Sequence, residues 1–157
     1  MNVISAFSEA SGTLARPPHA LLVLENEDDR KTLCRMVAEC GVQPVPCSTL
    51  QDAKALVASD AISIAFCENR LDDGDYMDFL RAVRSTGRTI PVVVCSRQLD
   101  LSLYLDAMEM GAYDFVVRPY QEADLAWIME GALWKVAGAR LAEPSAHISA
   151  GGRFYEH

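Results

Sequence analysis

Three short, almost uninterrupted apolar runs place the strongest constraint on how this chain can fold. They cover residues 20–24, 62–67 and 90–95. Each has the length of a strand, and none alternates clearly between apolar and polar residues. This pattern is typical of strands buried on both faces, as in a parallel sheet. Such a sheet needs helices on both sides, so the segments between the runs should be helical.

Those segments do have helical spacing. Apolar residues recur at i, i+3, i+4 and i+7 in three sets: Leu33, Met36, Val37 and Cys40; Leu50, Ala53, Leu56 and Val57; Tyr76, Phe79, Leu80 and Val83. Residues 42–47 have strand composition but contain two prolines, which places them at a sheet edge. A fifth strand is predicted over residues 113–117 and a last helix over 122–139.

Five such β-α units predict an α/β fold with a doubly wound, five-stranded parallel sheet of order 2-1-3-4-5. This is a flavodoxin-like three-layer sandwich, with its ligand site at the carboxyl ends of strands 1 and 3. We expect the domain to span residues 19–141. Residues 1–18 are expected to be a flexible leader, and residues 142–157 a flexible tail.

The composition excludes several classes of function. The chain of 157 residues is half apolar and carries a net charge of -8, which disfavours nucleic acid and anionic membranes as partners. No apolar run approaches the roughly 20 residues that span a bilayer. Five cysteines form no CxxC pair, so we expect reduced thiols and a cytoplasmic protein. A redox switch would be one use of Cys67 and Cys95, but their apolar surroundings favour inert core thiols.

Polar side chains follow the predicted strands where each one ends. Glu25 and Asn26 follow the first strand, Glu68 the third, Ser96 the fourth and Arg118 the fifth. At any one of these positions, a polar residue could be explained simply by a solvent-exposed loop. Because the carboxyl ends of parallel strands share one edge of the sheet, the five together predict a functional site there.

Four segments carry a resemblance to a known family: residues 22–26, 67–75, 91–96 and 110–120. Over about residues 19–138 the chain resembles the receiver domains of bacterial response regulators, the CheY-like family. The resemblance implies two-component phosphorelay signalling. In that family two acids after the first strand hold Mg²⁺, an aspartate after the third takes a phosphoryl group, and a lysine before a cis-proline pairs with it. A serine or threonine and an aromatic residue act as the switch, here Ser96 and Phe115.

The departures from the family fall on its chemistry. The metal-binding and acceptor places are Glu25, Asn26 and Glu68, and the lysine is Arg118. An amide at Asn26 removes a charge that Mg²⁺ prefers, so we expect weak or absent Mg²⁺ binding and no other cofactor. The longer side chain of Glu68 displaces its oxygens, and a shift on the order of 1 Å can cost about a hundredfold in rate. The acceptor site is therefore predicted to be degenerate.

Two hypotheses for Glu68 remain open. It can act as a built-in phosphate mimic, reaching Ser96 and Arg118 with Phe115 turned inward. Alternatively, it forms an inert ion pair with Arg118 in a rigid scaffold. The sequence favours a non-enzymatic protein-interaction switch or scaffold. The alternative is a working phosphoacceptor that takes its phosphoryl group from a histidine kinase with Mg²⁺.

The last two helices carry large apolar residues on their predicted outer faces. These are Leu103, Met110, Trp127 and Trp134. Such a patch is typical of an interface, so we expect a protein partner, either a histidine kinase or a downstream effector, or a homodimer through these helices. A leader or tail folded over the tryptophans would also account for them.

Overall fold

Five parallel strands form one sheet whose order is 2-1-3-4-5, as predicted. The computed structural model describes residues 17–59 and 61–140, with the backbone alone for 136–140. The strands are β1 (His19–Val23), β2 (Gln43–Cys47), β3 (Ile62–Glu68), β4 (Val92–Ser96) and β5 (Asp114–Val117). The predicted leader and tail lie almost entirely outside the described residues.

Five helices connect and cover these strands. They are α1 (Glu27–Glu39), α2 (Leu50–Ser59), α3 (Tyr76–Ser85), α4 (Leu101–Glu109) and α5 (Glu122–Arg140). Helices α1 and α5 contribute to one hydrophobic core and α2, α3 and α4 to the other. The sheet therefore forms the middle of three layers, which explains why its strands need no polar face.

The inner strands divide their side chains between the two cores. Leu22 of β1 packs toward α1 and α5, whereas Leu21 and Val23 pack toward the other helices. All three side chains are fully buried. Strand β2 pairs only with β1, so Pro44 and Pro46 occupy the edge where a missing N–H is tolerated. The prolines thus identify the edge strand correctly.

A two-residue antiparallel ladder follows β3 and fixes the start of α2. It joins Arg70–Leu71 to Gly74–Asp75, and Asp73 lies in the turn between them. The Asp73 carboxylate accepts hydrogen bonds from the amides of Leu50 (2.9 Å) and Gln51 (3.0 Å). These amides have no partner within the helix, so Asp73 caps α2 from a distant loop.

Helix α4 is rotated relative to the helical-wheel expectation. Tyr104 and Ala107 are its buried residues, so the inward direction lies between them. At 100° per residue, Leu105 is about 130° from that direction and Leu103 about 70°. Leu103 and Met110 are accordingly half-buried against the core, which corrects their predicted outer position. Leu101 and Leu105 are exposed instead.

Within the described residues, no helix is both long enough and apolar enough to cross a membrane.

The Asp73 cap predicts a pH-dependent contribution to stability. Its hydrogen bonds to the amides of Leu50 and Gln51 lower the pKa of the Asp73 carboxyl. A carboxyl whose folded pKa is depressed adds stability above its unfolded pKa, and this stability is lost as the pH falls through the folded pKa. We therefore expect Asp73→Ala to lower the melting temperature at pH 7.

The difference in melting temperature between Asp73→Ala and wild type should shrink once the pH drops below the ordinary pKa range of an aspartate. Asp72→Ala is the matched control, because Asp72 is exposed and its backbone contact survives the change. Thermal unfolding followed by circular dichroism at both pH values measures the effect. Equal melting temperatures for the two variants at pH 7 would contradict the capping role.

Candidate functional site

The carboxyl edge of the sheet brings together side chains from four strand ends. Glu68 is the last residue of β3 and is only 9% exposed. Its Oε1 accepts a hydrogen bond from the backbone N–H of Glu25, at 3.1 Å, just beyond β1. Ser96 ends β4, and the Arg118 N–H donates to the Ser96 carbonyl at 3.0 Å. The predicted edge thus does hold these residues.

Glu25 and Asn26 use their side chains to hold the backbone. The Asn26 Oδ1 accepts the Asp29 N–H at 2.9 Å and is the N-cap of α1. A Glu25 carboxylate oxygen accepts the N–H of Asp72. Arg30 adds two hydrogen bonds to the carbonyls of Leu24 and Glu25, at 2.8 and 3.1 Å. The connection from β1 to α1 is therefore fixed by its own polar groups.

These contacts do not fit a magnesium site. Mg²⁺ needs oxygen ligands in near-octahedral geometry and is bound through carboxylates. The Asn26 side chain is an amide that already caps a helix, and one Glu25 oxygen is bonded to an amide. Among the described residues, no group of three or more acidic, histidine or cysteine side chains is arranged to hold a metal ion.

Arg118 contacts a carboxylate, but not that of Glu68. Its Nη1 lies 2.9 Å from Oδ2 of Asp29, in the first turn of α1. The angles fall outside hydrogen-bond geometry, so the contact is an ion pair by distance. None of the ion pairs between described residues joins Arg118 to Glu68. The predicted pairing of Glu68 with Arg118 is replaced by one with Asp29.

Arg97 connects the two acids. Its Nη2 lies 3.8 Å from Oδ2 of Asp29, and its Nε lies 3.8 Å from Oε2 of Glu68. The Arg97 side chain is 57% exposed, whereas those of Asp29 and Glu68 are nearly buried. Two acids and two arginines thus alternate in one network, in the order Glu68, Arg97, Asp29, Arg118.

Ser96 and Phe115 are both buried and engaged locally. The Ser96 hydroxyl donates to the carbonyl of Gln98 at 2.9 Å and accepts the Gln98 N–H at 3.2 Å. Phe115 is 2% exposed, and its ring meets Tyr104 edge-on with centroids 5.8 Å apart. The aromatic side chain is therefore turned toward the interior, and the serine closes the turn after β4.

Two thiols lie beneath the site. Burial raises the pKa of Cys95 to about 12, although a side-chain hydrogen bond with Tyr120 opposes the shift. Burial also raises the pKa of Cys67 well above its usual range. The two side chains belong to opposite cores of the sheet. Both thiols stay protonated near neutral pH, which supports the interpretation that they are unreactive core thiols rather than a redox switch.

Sequence reasoning missed Asp29 and Arg97. Asp29 lies one helical turn beyond Asn26, where an acid is expected simply from the dipole of α1. Arg97 directly follows Ser96 at the exposed end of β4. The signal available was that both lie within a few residues of a strand end. The sequence does not show that the orientation of α1 places Asp29 next to Arg118.

The Arg118–Asp29 pair predicts an energetic coupling. Removing Arg118 leaves the nearly buried Asp29 carboxylate with only the distant Arg97, so Arg118→Met should destabilise the fold more than Asp29→Asn. A double-mutant cycle in urea should give a coupling of about 1–2 kcal/mol, reduced by the partial exposure of Arg118.

The Arg97–Glu68 pair is the matched comparison. Its atoms are 3.8 Å apart and Arg97 is mostly exposed, so its coupling should stay below about 1 kcal/mol. A larger coupling free energy for Arg97–Glu68 than for Arg118–Asp29 would contradict the prediction that Arg118–Asp29 is the stronger pair.

Comparison with known proteins agrees with this architecture. Residues 20–130 match the family model described as the response regulator receiver domain. The chain is 25% identical over 118 residues to the swarming motility regulation protein RssB of Serratia marcescens, covering 75% of this chain and 54% of that protein. It is 36% identical over 77 residues to the probable transcriptional regulatory protein y4xI of Sinorhizobium fredii, covering 49% and 34%. The chain thus spans about half or less of these relatives.

Solved structures share the fold at low identity. The signal receiver domain of a putative LuxO repressor protein from Vibrio parahaemolyticus superposes with a TM-score of 0.75 at 18% identity, covering 83% of this chain and all of that one. NtrX from Brucella abortus gives 0.73 at 22% identity, covering 81% of this chain and 28% of that one. With the family match over residues 20–130, the chain belongs to the response regulator receiver domains of two-component signalling.

Proposed function

We propose that this receiver domain works through protein contacts without being phosphorylated, as an interaction switch or scaffold. One observation carries the proposal: Arg118, the cation at the carboxyl edge, already has the Asp29 carboxylate at 2.9 Å. A phosphoryl group arriving at this edge would have to displace that carboxylate. The acceptor position itself holds Glu68 rather than an aspartate.

The charges of the network support this reading. Asp29 and Glu68 contribute two negative charges, and Arg97 and Arg118 two positive ones. The four side chains are thus neutral as a group. Adding a phosphoryl group with a charge of about -1.5 to -2 would leave its charge without a free cation in this network. Both described arginines of this network are therefore already paired with its carboxylates.

The position of Glu68 is a second support. One of its oxygens accepts the Glu25 N–H, and the other faces Arg97. Attack on a phosphodonor would break these contacts and require the side chain to reorient. Catalysis by proximity depends on reacting atoms being held in place, so a carboxylate that is hydrogen-bonded to the Glu25 amide is a poor nucleophile.

The mimic hypothesis is modified by these contacts. The carboxylate that occupies Arg118 is that of Asp29, so Asp29 is the better candidate for a built-in substitute for a phosphoryl group. Phe115 is buried, as the mimic hypothesis requires. Of the two roles, these contacts favour the scaffold: the domain is held in a single state, which a protein partner such as a kinase or an effector would recognise.

Intact-mass spectrometry after incubation with acetyl phosphate and Mg²⁺ tests the proposal. We expect no phosphoryl adduct on the wild-type chain. A receiver domain with an aspartate at the acceptor position serves as positive control under the same conditions. An adduct on the wild type that is absent from Glu68→Ala would establish the alternative, a working phosphoacceptor.

Magnesium binding provides an independent measurement. We expect half-saturation above about 1 mM, because Asn26 supplies no charge and Glu25 is engaged with the Asp72 amide. Asn26→Asp is an informative variant, since aspartate caps a helix as well as asparagine does while adding a carboxylate. It should raise the affinity by about tenfold or more.

NMR shifts of the Glu25 and Glu68 amides follow the titration. Glu39→Gln, at the opposite end of α1 from Asn26, is the control for a remote change of charge and should leave the affinity low. Micromolar binding by the wild type would contradict the assignment of these side chains to backbone contacts.

A further inference from the structure

Residues 70–75 form a short hairpin directly after β3, here named the β3 hairpin. Its turn contacts two parts of the molecule. One is the connection from β1 to α1, which belongs to the candidate site. The other is the start of α2. The hairpin thus lies between the site and a helix that contributes no residue to the network of acids and arginines.

Consecutive residues of the turn make these two contacts. The N–H of Asp72 donates to a carboxylate oxygen of Glu25, and the Asp73 carboxylate accepts the first two amides of α2 at 2.9 and 3.0 Å. Glu25 donates its own N–H to Oε1 of Glu68, at 3.1 Å. A series of hydrogen bonds therefore connects the acceptor position to the first turn of α2.

Packing also joins the hairpin to α2. A Cβ atom added at Gly74 would overlap the side chain of Leu50, the first residue of α2, and would lie 2.9 Å from a carboxylate oxygen of Asp78. The glycine therefore lets the hairpin backbone lie directly against the helix start. Leu50 is 3% exposed, so moving the hairpin away from it would open a space in the core.

We propose that the β3 hairpin is a coupling element, through which the side chain of Glu25 at the candidate site controls how firmly the first turn of α2 is held. The proposal goes beyond the proposed function, because it does not depend on whether Glu68 accepts a phosphoryl group. It also differs from the switch that the family resemblance implies, since Ser96 and Phe115 lie on β4 and β5.

The physical reason is that Asp73 can cap α2 only while the turn is held in position. Asp72 and Asp73 are both exposed, and the ladder has only two residue pairs, so the turn has little packing of its own. The hydrogen bond to Glu25 restrains the residue directly before the cap. Without it the turn can move, and the Asp73 carboxylate contacts the two amides less often. Coupling between two sites is reciprocal, so releasing α2 should also loosen Glu25.

Amide hydrogen exchange of the full ¹⁵N-labelled chain, followed by NMR, tests the coupling. Glu25→Ala removes the acceptor of the Asp72 N–H and leaves Asp73 in place. It should accelerate exchange of the Leu50 and Gln51 amides by at least about fivefold, as should direct removal of the cap in Asp73→Ala. In the reverse direction, Asp73→Ala should accelerate exchange of the Glu25 amide by at least about twofold.

Two matched variants separate the hydrogen bond from other effects. Glu25→Gln keeps an oxygen that can accept the Asp72 N–H, so exchange at the start of α2 should stay within about twofold of wild type. Glu27→Ala removes an exposed glutamate of α1 that pairs with Lys31 at 3.2 Å, and should leave α2 unchanged. The amide of Phe66, in the centre of the sheet, reports global unfolding.

The double variant distinguishes coupling from a general loss of stability. In the Asp73→Ala background the cap is already absent, so adding Glu25→Ala should change exchange at Leu50 and Gln51 by less than about twofold. The proposal is overturned if Glu25→Ala alone leaves these amides as protected as in wild type, or if Glu27→Ala accelerates them equally. It is also overturned if Glu25→Ala acts by the same factor with and without Asp73. If Glu25→Ala does not fold, an unchanged Glu25 amide in Asp73→Ala overturns it.

Discussion

Helices cover both faces of the sheet, and the main features of the fold follow from this burial. Because α1 and α5 cover one face and the other three helices cover the second, the central residues of the inner strands are buried and apolar. The polar groups of the candidate site lie at the strand ends and in the loops after them. Parallel pairing then places the ends of β1, β3, β4 and β5 at a single edge, where the acids and arginines meet.

The polar side chains at that edge mostly contact other groups of the protein. Asn26 caps α1, Glu25 and Glu68 hold backbone amides, and Arg118 is paired with Asp29. Partly buried charges are costly unless they are paired, and the alternating network meets this need with protein groups alone. This pairing is the basis of our proposal that the domain acts without a bound metal ion or phosphoryl group.

Leu99, Leu101, Leu105, Trp127 and Trp134 are the exposed large apolar residues of the described part of the chain. Leu101 and Leu105 lie on α4, whereas Trp127 lines a groove between α1 and α5. A helical wheel shows which residues share a face of a helix. It does not show which of those faces packs against the sheet. For α4 that rotation follows from Tyr104 and Ala107, whose burial turns Leu103 and Met110 partly inward.

The sheet, its strand order and the edge that holds the site could all be predicted from sequence patterns. Continuous apolar runs, two prolines in β2 and polar residues after each strand are local features, and the physics of a covered parallel sheet converts them directly into topology. Glu25, Glu68, Ser96 and Arg118 were located in this way. The charge pairs could not be predicted in this way. The orientation of α1 brings Asp29 to Arg118, and the turn after β4 brings Arg97 to Glu68. Contacts between side chains that are distant in sequence depend on packing angles, and no periodicity along the chain encodes them.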